Sequence, residues 1–235
     1  MSPILFYGVP EGCSFGSIVS LEWLGEPYRL CRVQMPDEVS SDRFAPVNAV
    51  RETPSLMTAD GRFISESAAI LSHIASRGID RGLGFSQGTA GFDRFNQTLA
   101  YLNTSLFSAF GPYWFTLEHE QSEEEKAALQ AFGRRRVINA YANLERMLEG
   151  QDWLSGGSRP GIVDAYFAGI ARWNDFHKVV DRSDYPNVAR LHDRLQQELA
   201  VRFAHAIEEG REAVSGGGFE GHVTIEEALA LRQAA

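Results

Sequence analysis

The chain has 235 residues, room for one large domain or two compact ones, and its 44% apolar and 23% charged side chains match proteins that bury a sizeable core. Its formal net charge of −9 argues against nucleic acid or an anionic membrane surface as the main partner, since both recruit a basic face. Cys13 and Cys31 are too few for a disulfide framework and stand at no metal-ligand spacing with histidines, so the expectation is a soluble, cytoplasmic protein without a metal.

The opening MSPILFYGVP lacks the basic start and long apolar run of a secretory signal, and no stretch of 18 apolar residues follows it anywhere. Residues 3–8 are instead a β-branched and aromatic run ended by Gly8 and Pro10, and residues 27–33 alternate in character, so both are predicted strands. Between them Phe15, Ile18, Val19, Glu22 and Trp23 keep helical spacing up to Gly25, a C-terminal cap by residue type. A β-α-β opening of this kind predicts parallel strands. Ser55–Met57 and Arg62–Ile64 flank Ala59-Asp60-Gly61, where Asp-Gly signals a hairpin, and a helix then starts near Glu66 with Ala69, Ile70, His73 and Ile74 on one side.

Five of the fifteen residues from Arg77 to Gly91 are glycine, which places a domain boundary there. Beyond it the periodicity is helical throughout. Phe95, Leu99, Leu102, Leu106 and Phe110 form one stripe; Val137 or Ile138 with Tyr141, Leu144 and Leu148 form another; Val188, Leu191, Leu195, Leu199 and Phe203 form a late helix. Ser122 to Glu125 is a capping box, and Gly161-Ile-Val-Asp164 opens a further helix. The predicted organisation is an α/β domain over 1–78, a linker over 79–91, an all-α domain over 92–209 and an extension over 210–235. In that extension Ser215-Gly-Gly-Gly218 is expected to be flexible, and Thr224 to Glu227 caps a short final helix with no evident packing partner.

Cys13 falls just after the first strand, at the start of the first helix, where backbone N–H groups and the helix dipole favour a thiolate. Packing as a small hydrophobe is the competing reading there, and for Cys31, inside a strand pattern, it is the preferred one. Tyr7 and Ser14 flank the same corner and each carries a hydroxyl able to donate to a bound sulfur anion. Thr53-Pro54 precedes a predicted strand, where a cis bond would turn the Thr53 backbone toward a ligand. Glu66-Ser67 stands at a helix N-terminus, suited to a carboxylate at Ser67 and an ammonium at Glu66, with ordinary capping as the alternative.

Three segments together resemble the cytosolic glutathione transferase superfamily. Pro10-Glu-Gly-Cys-Ser14 is similar to the Pro-Gly-Ala-Cys-Ser segment of the bacterial beta class; Asn48 to Leu56, NAVRETPSL, is similar to N-P-x-G-x-V-P-x-L; Asp60-Gly61 followed by Glu66-Ser67-Ala-Ala-Ile70 is similar to D-G-x-x-x-x-E-S-x-A-I. The resemblance covers about residues 3–205 and implies a thioredoxin-like N-terminal domain followed by a helical C-terminal one. It further implies that Glu66 and Ser67 hold the γ-glutamyl end of glutathione, that the Thr53 backbone pairs with its cysteinyl unit beside a cis Pro54, and that Cys13 is the active-site cysteine. The implied activity is conjugation of the glutathione thiolate to an apolar electrophile by a homodimer, with Phe107, Phe110, Tyr113 and Trp114 as the aromatic cluster for that second substrate. Thiol transfer through Cys13 as nucleophile, or binding without catalysis, are the competing functions.

Departures from the pattern are specific. Arg51 stands where the family has glycine, Glu52 adds a negative charge, Gly161 replaces a usual serine, Phe107 and Ser108 occupy the places of a His-Lys pair, and the spacing from Tyr7 to Cys13 is one residue longer than in the beta class.

Overall fold

A computed structural model describes residues 1–234. It divides into two compact units, residues 1–86 with 197–235 and residues 87–196. The first holds the strands β1 (Ile4–Val9), β2 (Tyr28–Gln34), β3 (Ser55–Met57), β4 (Phe63–Ser65) and β5 (Phe219–His222), in one sheet of order β4-β3-β1-β2-β5 among the described residues. β1 runs parallel to β2, with Tyr7 opposite Arg32, and antiparallel to β3, with Phe6 opposite Ser55. The predicted β-α-β opening is present: α1 (Phe15–Leu24) joins the parallel pair and ends at Gly25, whose left-handed backbone returns its N–H to Leu21 O. The Asp-Gly hairpin joins β3 to β4, with Gly61 at φ +80.

Alternation along β1 sends Ile4 and Phe6 to one face of the sheet, where they pack with Cys31, Val33, Phe44 and Met57. The final helix α9 (Ile225–Gln233) lies on this face and inserts Ile225 and Ala228 into the cluster. Arg232 of α9 lies 4.7 Å over the Phe63 ring and donates to Gly61 O. The packing partner of the last helix is thus the sheet itself.

Ser215 to Gly218, expected to be flexible, is a fixed clasp. The Glu22 carboxylate on α1, only 6% exposed, accepts from Tyr28 Oη, from Ser215 Oγ at 2.8 Å and from the Gly216 N–H at 2.7 Å. Gly218 has φ +82, and a Cβ there would fall 2.0 Å from Glu26 O, so the composition that resembles a linker instead permits close backbone approach. β5 then pairs parallel to β2, extending the sheet.

The late helix is also two rather than one. Glu198 leaves helical geometry between α7 (Pro186–Gln197) and α8 (Leu199–Glu208), which turns Leu199 out to 43% exposure while Phe203 stays buried. The break coincides with the division between units, and α8 packs on α1 within the first. α2 (Ser67–Arg77) buries Ile70, Leu71, Ile74 and Ala75, leaving His73 half-buried at the margin of the predicted stripe.

The second unit holds α3 (Ala90–Tyr101), α4 (Gly111–Glu118), α5 (Glu123–Met147), α6 (Ile162–His177) and α7. The stripe from Phe95 to Phe110 is buried as predicted, though Leu102–Phe107 is wound as a π-helix. On α5 the Ser122–Glu125 capping box is formed, and Val137 rather than Ile138 faces the core with Tyr141 and Leu144. The fully buried Asp164 of α6 accepts N–H bonds from Leu154, Ser155 and Gly161, and burial lifts its carboxyl to about 6. No described helix is long and apolar enough to cross a membrane.

Candidate functional site

The turn from β1 to α1 is held tightly. A Cβ at Gly12 would fall 2.2 Å from Gly8 O, and the fully buried Ser14 accepts the Gly8 N–H on its hydroxyl at 3.1 Å. This fixes Cys13, which is half-buried, at the N-terminus of α1, where the helix dipole favours an anion. Ser67, in the first turn of α2, is 8% exposed and donates from Oγ to Cys13 O at 3.4 Å. Two helix N-termini from distant parts of the sequence therefore meet at one corner.

Glu66, just before α2, is exposed and has φ 69 and ψ 125, a conformation that costs of order 1–3 kcal/mol for a side-chain-bearing residue. Such a geometry persists only where its surroundings impose it, and here it leaves the carboxylate outward beside the helix end. The Thr53–Pro54 bond is cis, Pro54 is buried, and Thr53 Oγ1 donates to Met35 Sδ at 3.6 Å. A side chain at Gly8 would collide with that same Thr53 hydroxyl, so Thr53 stands against the end of β1. Cys13, Ser14, Thr53, Pro54, Glu66 and Ser67 are thus gathered by direct contact or by chain adjacency.

Tyr7 is placed differently. Its ring is buried, its hydroxyl bonds His222 Nε2 at 3.0 Å, and burial raises it above the ordinary tyrosine value against the pull of Arg32. His222 is a residue that sequence reasoning did not single out. Its partner lies 215 residues away, and the short β5 carries no pattern to flag it. Cys31 is buried, which pushes its thiol up to about 12 and agrees with a packing role.

Arg51 adopts φ 55, which explains why glycine suits this position, and its guanidinium is held by Ser40 O and Asp42. Asn48 organises the same turn, donating to Glu52 O and accepting from the Val50 N–H. In the helical unit, Phe110 and Tyr113 are buried while Phe107 and Trp114 are half-buried. Trp114 stacks on Phe176 at 5.4 Å and meets Trp173 and His177 edge-on. Those three partners on α6 extend the predicted aromatic cluster, and their i, i+3, i+4 spacing is the signal that would have found them.

A thioredoxin-like unit with a cysteine at a helix N-terminus and a cis-proline before β3, carried in one chain with an all-helical unit, defines a fold of the glutathione transferase type. Residues 17–78 match the glutathione S-transferase N-terminal domain and residues 99–198 the C-terminal domain. Glutathione S-transferase GST-4.5 of Xanthomonas campestris pv. campestris is 27% identical over 201 residues, covering 84% of this chain and 95% of that protein. A sphingomonad glutathione S-transferase solved in complex with glutathione is 26% identical, with a TM-score of 0.75 over 88% of this chain and 98% of that one. The beta-class enzyme of Sphingomonas chungbukensis is likewise 26% identical, with a TM-score of 0.75 over 87% and 98%. The chain belongs to the cytosolic glutathione transferase superfamily, near its bacterial beta class, and is an enzyme of that family.

Proposed function

We propose that the protein binds glutathione at the corner formed by Cys13, Ser67 and Thr53 and directs its thiolate onto an apolar electrophile. The observation that carries this reading is the Ser67–Cys13 contact, which sets two helix N-termini around one position. Glutathione offers two carboxylates, an ammonium and a thiol. The first turn of α2 with Ser67 suits the γ-glutamyl carboxylate, Glu66 suits the ammonium, and the Thr53 backbone beside cis Pro54 suits the cysteinyl amide. The thiol then falls at the start of α1, where the dipole and the Cys13 region stabilise its anion.

Roles within this corner follow from burial. Cys13, half-buried, faces the thiolate; Ser14, fully buried and bonded to Gly8, holds the turn; Tyr7, bonded to His222, supports β1 from the tail side. Phe107 and Trp114, half-buried, supply aromatic surface for the electrophile, and the buried Phe110 and Tyr113 belong to the same cluster. A homodimer in the reducing cytoplasm, acting in detoxification, fits the same reading.

Thiol transfer is the second reading, favoured by the placement of Cys13 at a helix N-terminus, and Cys31 is too buried to resolve a mixed disulfide. Substitution of Cys13 separates the two. With glutathione as nucleophile, Cys13→Ala keeps conjugation of a chlorodinitrobenzene within about tenfold of the parent, roughly 1.4 kcal/mol on the barrier, and loses any thiol transfer. Complete loss of conjugation, with glutathione affinity unchanged in calorimetry, would reverse the order.

A further inference from the structure

Two ring nitrogens in the aromatic cluster of the helical unit are buried without a hydrogen-bond partner among the described residues: Nε1 of Trp114 on α4 and Nε2 of His177, the last residue of α6. A polar atom in that position has given up its bond to water, and a ligand that supplies a partner recovers it. Lys178 closes α6 in a left-handed conformation and returns its N–H to Asn174 O at 2.8 Å, so the backbone that carries His177 is fixed.

The half-buried imidazole is surrounded by rings. Their centroids lie at 4.6 Å for Trp114, 4.9 Å for Phe176, 5.3 Å for Tyr113 and 6.2 Å for Phe110. Burial holds His177 below the ordinary histidine value, so it is neutral at pH 7 and can carry its one proton on Nε2. Phe176 touches both nitrogen-bearing rings and is the member easiest to move. It is 51% exposed and lies on Trp114 with ring planes 15° apart. A flat ring of a ligand on that Trp114 face would replace one stack by another.

Resting on the placement of the electrophile at this cluster, we propose that Trp114 and His177 are specificity-determining residues that select aryl α,β-unsaturated ketones. The aryl ring takes the place of Phe176 on Trp114, and the carbonyl oxygen accepts from the indole N–H and the imidazole N–H. The glutathione sulfur bonds to the β-carbon, and the π pair moves to the carbonyl oxygen as an enolate. The α-carbon then takes a proton from water, which has received the proton of the thiol. Both donors bind the enolate oxygen more strongly than the ketone, so they lower the barrier as well as hold the substrate. An alkyl halide has no such oxygen and draws nothing from the pair.

Steady-state kinetics of the full chain with glutathione and either benzylideneacetone or benzyl bromide test this. In His177→Phe and in Trp114→Phe, each of which keeps an aromatic ring, the ratio of kcat/KM for the ketone to kcat/KM for the bromide falls by about ten- to a hundredfold, as expected for a lost hydrogen bond to a developing charge. His177→Gln, which keeps an N–H donor, restores part of that ratio. Phe176→Ala, at an exposed position, lowers KM for benzylideneacetone severalfold while the thermal transition stays in place. Parental ratios in both phenylalanine variants, or an unmoved or raised KM in Phe176→Ala, would overturn the proposal. A parent that conjugates chlorodinitrobenzene but not benzylideneacetone would overturn it alone, whereas a parent inactive on all three electrophiles would remove the placement of the electrophile on which it rests.

Discussion

Ser67 concentrates the argument at the scale of single residues. It is nearly buried, its hydroxyl already reaches the Cys13 carbonyl, and it heads α2. Ser67→Ala removes one donor to a charged ligand group and should weaken glutathione binding by roughly 1.5–3 kcal/mol. Calorimetry returning the parental affinity would detach Ser67 from the site. Residues of this kind were legible in the sequence because short contiguous motifs carry them: Asp60-Gly61 then Glu66-Ser67, and Pro10 to Ser14. Tyr7 was legible as a hydroxyl near the corner but not in its engagement. The histidine bonded to its hydroxyl belongs to a strand 215 residues later, and no local pattern encodes such a partner. Arg51 shows the converse case. Its departure from the family glycine is visible in the sequence, whereas the positive φ that gives the departure meaning is visible only in the fold.

At the scale of elements, periodicity and turn signals located β1 to β4 and most of the helices but not β5, and what they missed depends on contact rather than pattern. The stripe from Val188 to Phe203 is continuous as spacing, yet Glu198 breaks it and Leu199 turns outward. Composition misled at Ser215 to Gly218, because glycine permits flexibility and close approach equally. The buried Glu22 carboxylate decides between them by gathering Ser215, Gly216 and Tyr28. Gly218 is where this clasp is most sensitive. Gly218→Ala meets both a positive φ and the Glu26 carbonyl, and should cost at least roughly 1–3 kcal/mol, released locally as detachment of β5. Hydrogen exchange reads this directly: the Val223 amide, bonded to Leu30 O, and the Tyr28 amide, bonded to Gly218 O, should lose protection ahead of the rest of the sheet. Unchanged protection at both would mean that the clasp does not hold the tail.

The whole molecule titrates as a sum of such sites, and its histidines mostly agree in sign. His73, His177, His192 and His222 all lie below the ordinary histidine value, with burial the largest cause at each and Arg32 adding to it at His222. A histidine whose native value is lowered binds its proton more readily in the unfolded chain. Its stabilisation is therefore complete above the unfolded value near 6.5 and is lost as pH falls through the native value. Asp164 runs the other way, since burial raises it from 3.8 to about 6 and its protonation favours the folded chain only below that point. Between about pH 7.5 and about pH 6.5 the four histidines together outweigh Asp164, so the melting temperature should fall on acidification across this window. His222→Gln keeps a polar partner for the Tyr7 hydroxyl but removes one titrating group, and its melting temperature should depend less steeply on pH than the parent's. A flat or rising profile in the parent would show that these histidines do not set the acid response; a variant slope equal to the parent's would show that the tail's contact with Tyr7 is indifferent to the charge on His222.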